Sequence, residues 1–244
     1  MDVIEALRDM SKKELDEIAK TCDINTKGMT KQQVIDSITK AIKQELEARQ
    51  KYTKIEQLGK KGKEGTVFHV KDKKKNSYAM KEFSKTKSEK NLEREAIFLK
   101  KASEFGISPQ MHDYDVVYNY IIMEKLDKNL FDHMKESKGK LSVKLQKDMI
   151  KIFKTLDKIS IFHADPNPLN FMFDSKGDLK IIDFGFAKVI DDKLIKEHGS
   201  TPNMKYMPMG FILKMADFVQ PSTFTELLKH VSDEDKARLN LLNK

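Results

Sequence analysis

Cysteine occurs once in the 244 residues, as Cys22. One thiol excludes an internal disulfide and fits a reducing, intracellular compartment, cytoplasmic or nuclear. Long apolar runs are missing as well. None approaches the ~20 residues that a membrane-spanning helix needs, and no signal-peptide pattern opens the chain, so no membrane partner is expected. Acidic residues are the minority, 38 against 46 Lys and Arg, for a net charge of +8. Lysines scattered along the chain carry this excess. It reads either as solvated surface or as attraction for nucleic acid or acidic substrates. What is present suits a soluble globular protein: 39% hydrophobic residues can fill a core, beside 34% charged residues and a mean hydropathy of −0.59. The length allows one domain with an appendage, or two small ones.

Residues 1–50 read as helical. EALRDMSKKELDEIAKTCDI places Leu7, Met10, Leu15, Ile18 and Ala19 at helical spacing. NTKGMT interrupts the pattern, with Gly28 as turn residue and Thr30 as N-cap. KQQVIDSITKAIKQELEARQ resumes it through Val34, Ile35, Ile38 and Ile42. Two short helices around an extended loop resemble the SAP and Rho-N class of helix-loop-helix modules, which often bind nucleic acid. The other readings are a helical extension packed on the next domain, or a module that docks a protein.

From Tyr52 the pattern changes to strands, and the stretch from His163 to Gly185, HADPNPLNFMFDSKGDLKIIDFG, organises the rest. FMF and LKIID are short apolar runs joined by DSKGD, which has turn chemistry. A hairpin there brings its ends together, so Asn170 and Asp183 converge. An amide oxygen and a carboxylate at one point suit a hard cation such as magnesium. Asp165, on the loop before the hairpin, faces whatever that metal holds.

HADPNPLN followed by Asp183-Phe184-Gly185 resembles the catalytic and metal loops of the eukaryotic-like protein kinase superfamily. Softer elements precede it in the family's order. Gly62, Gly65 and Val67 fit the glycine-rich loop that closes over phosphates, while Gly59 stands one residue early for that pattern. Ala79-Met80-Lys81 resembles the strand whose lysine holds the ATP phosphates. In the following helix Leu92, Ala96, Leu99 and Ala102 form an apolar stripe, and Glu95 falls on it. A carboxylate turned inward needs a partner. Lys81 is the candidate, and Glu95 also matches the family's third-helix glutamate. Met123-Glu124-Lys125 resembles the gatekeeper and hinge, with Glu124 to Leu126 offering backbone groups to adenine, Val67 and Ala79 covering it and Met172 below. A helix is predicted from about Ser142 to Ser160.

The resemblance implies an α+β, two-lobed kinase-like fold with a reduced C-lobe and a small all-α module before it. It divides the chain into residues 1–50 and 51–244, with an N-lobe over about 51–126 and a C-lobe over about 127–244. It implies transfer of the γ-phosphoryl of magnesium-bound ATP to a protein Ser or Thr. In that reading Asp165, Lys81, Glu95 and Asn170 are catalytic. Asn170 and Asp183 hold Mg2+. Gly59, Gly62, Gly65, Val67, Ala79, Lys81, Met123, Glu124, Leu126 and Met172 hold nucleotide. Ala164 replaces the arginine that in the family reads an activation-loop phosphate, and Asn167 replaces a lysine. The loop is therefore closer to the RIO, UbiB-like and KEOPS-complex kinases. Three rivals stand beside this reading: a small-molecule phosphotransferase, a pseudokinase scaffold, and a nucleic-acid-associated binding protein acting through residues 1–50.

Overall fold

The structure is a computed structural model, and it describes residues 3–242 apart from 50, 63 and 85. Two compact units divide the chain, one formed by Met1–Thr53 with Asp72–Lys74 and the other by Lys54–Lys71 with Lys75–Lys244.

The first unit holds three helices, α1 (Val3–Asp9), α2 (Lys12–Thr21) and α3 (Lys31–Arg49). The periodicity predicts one helix where α1 and α2 stand. Ser11 divides it: its hydroxyl caps α2 at the Glu14 amide while Glu14 reaches back to the Ser11 backbone, a reciprocal capping box. Thr30 and Gln33 exchange the same pair of bonds at the start of α3. Leu7, Leu15, Ala19, Val34, Ile35 and Ile38 form a small core of their own, with Met10, Ile18 and Ile42 packed on it.

After the three helices come β1 (Tyr52–Leu58), β2 (Gly65–Asp72) and β3 (Ser77–Phe83), which fall in the second unit apart from Tyr52, Thr53 and Asp72, then α4 (Glu89–Glu104), β4 (Met111–Asp115) and β5 (Tyr120–Met123). The five strands form one sheet in the order β1-β2-β3-β5-β4. The rest is mainly helical: α5 (Leu130–Glu136), α6 (Val143–Lys158), α7 (Asp192–His198), α8 (Pro202–Lys214), α9 (Thr225–Leu228) and α10 (Asp233–Leu242). Two small ribbons complete it, β6 (Ile161–Phe162) with β9 (Lys188–Val189), and β7 (Phe171–Phe173) with β8 (Leu179–Ile181). This is the α+β, two-lobed arrangement implied by the sequence, preceded by a helical segment. Among the described residues no helix is long and apolar enough to cross a membrane.

Helix α6 is the axis of the lower part. Leu145, Met149, Ile152, Phe153 and Leu156 bury one face. Phe153, Phe171, Phe211 and Phe224 stand edge to face in a continuous row at 5.9 Å per step, joining α6, β7, α8 and the start of α9. Two polar side chains of α6 work at helix ends. Gln146 Oε1 accepts from the Glu226 and Leu227 amides of α9. Asp157 accepts from the Asn203 and Met204 amides at the start of α8. A carboxylate there satisfies amides that have no partner within the helix and complements its dipole.

Candidate active site

The register of the upper sheet brings the nucleotide-side candidates to one place. Val67 pairs with Lys81 across β2 and β3, and Ala79 pairs with Met123 across β3 and β5. Beneath them lies a cleft of about 590 Å3. Gly59, Val67, Ala79, Leu126 and Met172 give it apolar walls, and Lys81, Glu95 and Asp183 stand at its polar end. Met123 and Glu124 line it too. The Glu124 amide donates to the Gln110 carbonyl, so its carbonyl is what this residue can offer a ligand.

At the polar end the Lys81 ammonium lies 2.6 Å from Glu95 Oε1 and 2.9 Å from Asp183 Oδ1. Glu95 is on the buried stripe of α4 with Leu92, Ala96, Leu99 and Ala102, and is itself 3% exposed. Burial works against a charge on Lys81, but Glu95 and Asp183 outweigh it and hold the lysine pKa above its ordinary value. Burial likewise would raise the Asp183 carboxyl, yet the Lys81 charge and hydrogen bond bring it below the usual range. Both partners therefore stand charged at neutral pH.

The lower edge is built by β6 and the β7–β8 hairpin. His163 is fully buried, donates from Nε2 to the Ile182 carbonyl at 3.0 Å, and lies against the Phe184 ring. Ala164 and Asp183 both have φ of +64°, a left-handed backbone that costs of order 1–3 kcal/mol in a non-glycine residue. These two turns straddle the histidine bond, which ties the loop before Asp165 to the strand before Asp183. Asn167 caps a short 3-10 turn, Pro168–Asn170, by accepting from the Leu169 amide. Asn170 follows on that turn and donates its amide to Asp165 Oδ2 at 2.9 Å. The Asn170 carbonyl accepts from Ile182, so the hairpin ends do meet.

Not every candidate reaches the cleft. Gly62, Gly65, Asp165 and Asn170 do not line it. At Gly65 the backbone gives its own reason for glycine, since a Cβ there would stand 2.1 Å from the Glu82 carbonyl oxygen on β3. Gly59 lines the cleft with φ of +73°.

Comparison with known proteins gives this geometry a lineage. Residues 52–212 match the model of the protein kinase domain. The chain belongs to the protein kinase family. Residues 6–45 match a second model, described as the Rho termination factor N-terminal domain. A probable serine/threonine-protein kinase of Clostridium perfringens is 38% identical over 87 residues, 34% of this chain and 13% of that one. A probable serine/threonine-protein kinase of Dictyostelium discoideum is 28% identical over 130 residues, 47% of this chain and 19% of the relative. The chain thus spans less than a fifth of the length of either kinase.

Four residues outside the lining of the cleft, Lys87, Glu64, Asp157 and Asn203, escape a sequence reading. Lys87 donates to Glu95 Oε2 at 2.6 Å and to Glu64 Oε2 at 2.9 Å. Asn203, fully buried, accepts from the His163 amide and donates to Asp157 and to the Ile161 carbonyl. The partners of Asn203 lie 40 to 46 residues away in the chain. The available signal for Asn203 was its place beside Pro202 at a helix start. For Lys87 and Glu64 nothing distinguishes them from the surrounding lysines and acids.

Proposed function

We propose that the chain is a small atypical serine/threonine protein kinase that transfers the γ-phosphoryl of ATP to a protein hydroxyl. One observation carries this reading. A charged lysine is held by two carboxylates at the polar end of an apolar-walled cleft, beside a loop carrying Asp165. In this reading Lys81, positioned by Glu95, grips the nucleotide phosphates, and Ala79, Val67, Leu126 and Met172 enclose the base. Asp165 orients the acceptor hydroxyl and takes its proton as the new O–P bond forms and the bond to the leaving ADP breaks. Most of the rate enhancement then comes from positioning and charge complementarity.

The donor set suits magnesium. Asp183 is a carboxylate kept ionised, and the Asn170 amide nitrogen is engaged with Asp165, which leaves its oxygen as the ligand atom. Asp183 and Asn170 would hold the ion, which when bound neutralises phosphate charge. The short segment between Asp183 and α8, and Ala164 in place of arginine, support a kinase outside the group gated by activation-loop phosphate.

Residues 1–50 we read as a separate helical module. Its own core and its likeness to the Rho termination factor N-terminal domain support a recruiting role.

The test is incubation with labelled ATP, magnesium and a generic acceptor protein, followed by phosphoamino-acid analysis, with melting measured in parallel. ATP at ~100 times its dissociation constant stabilises the fold by about 2.7 kcal/mol if it binds the native state alone. No melting shift at millimolar ATP, with or without magnesium, overturns the nucleotide site. A shift without transfer points to the scaffold reading.

A further inference from the structure

Five charged side chains meet where β3, α4, the glycine-rich segment and Asp183 converge: Lys81, Lys87, Glu64, Glu95 and Asp183. Glu95 divides its two oxygens between the lysines, Oε1 to Lys81 and Oε2 to Lys87, each at 2.6 Å. The Phe83 ring lies under both ammonium groups, at 5.0 and 4.3 Å. The side chains of Lys87 and Glu95 are 9% and 4% exposed, so this pair is shielded from solvent.

Glu64 is different. It belongs to the segment between Gly62 and Gly65, which the Gly62 amide closes by donating to the Gly65 carbonyl. Its side chain is 39% exposed, 2.9 Å from Lys87 and 3.9 Å from Lys81. Its carboxylate oxygens fill the space beside Gly185, 2.8 and 3.2 Å from where a Cβ would stand. An anionic group on a glycine segment thus stands between two ammonium groups: Lys81, which lines the cleft, and Lys87, which with Glu64, Asn91, Arg94 and Gly185 lines an adjoining pocket of about 220 Å3. Each ammonium has three donors and uses two strongly, on Glu95 and Asp183 or on Glu95 and Glu64. With Glu64 present the cluster has three carboxylates against two ammoniums. With Glu64 turned out to solvent the charges balance, and both lysines have donors for an entering anion.

We propose that Lys87 is a second phosphate-binding lysine, and that Glu64 occupies its ligand position until the nucleotide displaces it. The proposal rests on the kinase reading, because that reading supplies the polyphosphate ligand.

Calorimetric titration of the full chain with magnesium-ATP and with adenosine tests it, on wild type, Lys87→Ala, Lys87→Arg and Glu64→Gln. A charged hydrogen bond to phosphate predicts that Lys87→Ala weakens ATP about tenfold or more and leaves adenosine within about twofold. Lys87→Arg restores ATP to within about threefold of wild type, since the charge is kept. Glu64→Gln tightens ATP about threefold, because a competing carboxylate has gone, and leaves adenosine unchanged. Equal weakening of ATP and adenosine in Lys87→Ala makes the lysine a purely structural tie and overturns the proposal. So does unchanged ATP affinity in that variant, or weaker ATP binding in Glu64→Gln. If Lys87→Ala does not fold, the sign of the Glu64→Gln effect decides. Wild type that binds neither ligand overturns the kinase reading itself, whereas ATP binding indifferent to Lys87 and Glu64 overturns this inference alone.

Discussion

Gly210 of α8 approaches Pro166 so closely that a Cβ on the glycine would stand 2.5 Å from the proline Cγ. Glycine inside a helix costs roughly 1 kcal/mol relative to alanine, so the contact has a value that offsets this. Pro166 follows Asp165 directly, and α8 therefore braces the loop that carries the proposed proton acceptor. Gly210→Ala should destabilise the fold by about 1–3 kcal/mol through overpacking. It should also lower the transfer rate more than it weakens ATP binding. Denaturant unfolding with single-turnover kinetics checks both, and a variant with unchanged transfer would show that the brace has no bearing on Asp165.

Asp165 and Asp183 are both carboxylates near the cleft, with different expected work. Asp165→Asn should leave magnesium-ATP affinity nearly intact and reduce transfer by ~10²–10⁴-fold, which is roughly 3–5 kcal/mol of barrier. Asp183→Asn should weaken nucleotide binding as well, since it removes a charge from Lys81 and from the proposed ion. Measuring both quantities on both variants separates them. Transfer that survives Asp165→Asn would remove that residue from the mechanism.

His163 predicts a pH dependence of stability. Burial disfavours its protonated form and outweighs the pull of the Ile182 carbonyl, Asp183 and Asp165, so its folded pKa lies below the ordinary 6.5. Below pH 6.5 the unfolded chain then binds a proton that the folded chain does not. Stability is lost as pH falls from 6.5 toward the folded value, with a slope no steeper than about 1.4 kcal/mol per pH unit. His163→Phe keeps a ring against Phe184 and cannot titrate. Its unfolding free energy should fall less than that of wild type between pH 7 and pH 5; parallel profiles would exclude the histidine as the source.

Ser200 and Thr201 are exposed, and Thr201 makes no side-chain cap bond at the start of α8. With Ala164 in the catalytic loop, a phosphate on either has no arginine there to order it. The double alanine variant should keep transfer within a few-fold of wild type. A hundredfold loss would reveal another basic partner for this segment.

Local periodicity carried most of the architecture. The stripe Leu92, Ala96, Leu99 and Ala102 foretells both α4 and the inward turn of Glu95, because burial of an acid beside apolar neighbours demands a cation. The β7–β8 hairpin is written in FMF, DSKGD and LKIID, all within short range. Elements set by distant partners were not readable in this way. Ser11 splits the first predicted helix through a three-residue capping exchange that the apolar spacing runs straight across. Asp157 and Asn203 look like a surface acid and a turn amide until α8 folds onto α6. Lys87 is one lysine among many until Glu64 and Glu95 converge on it from opposite sides in the sequence.

The close backbone contact at Gly65 bears on how a mutational screen of this chain would be interpreted. A library selected only for cellular abundance would already have lost nearly every replacement at Gly65, because any side chain there collides with the neighbouring strand before a substrate is involved. At Gly62 the nearest atom to a new Cβ is 3.5 Å away, so replacements there would survive the same selection. The two loop glycines would thus part in such a screen, Gly65 held by quality control of the folded chain and Gly62 not.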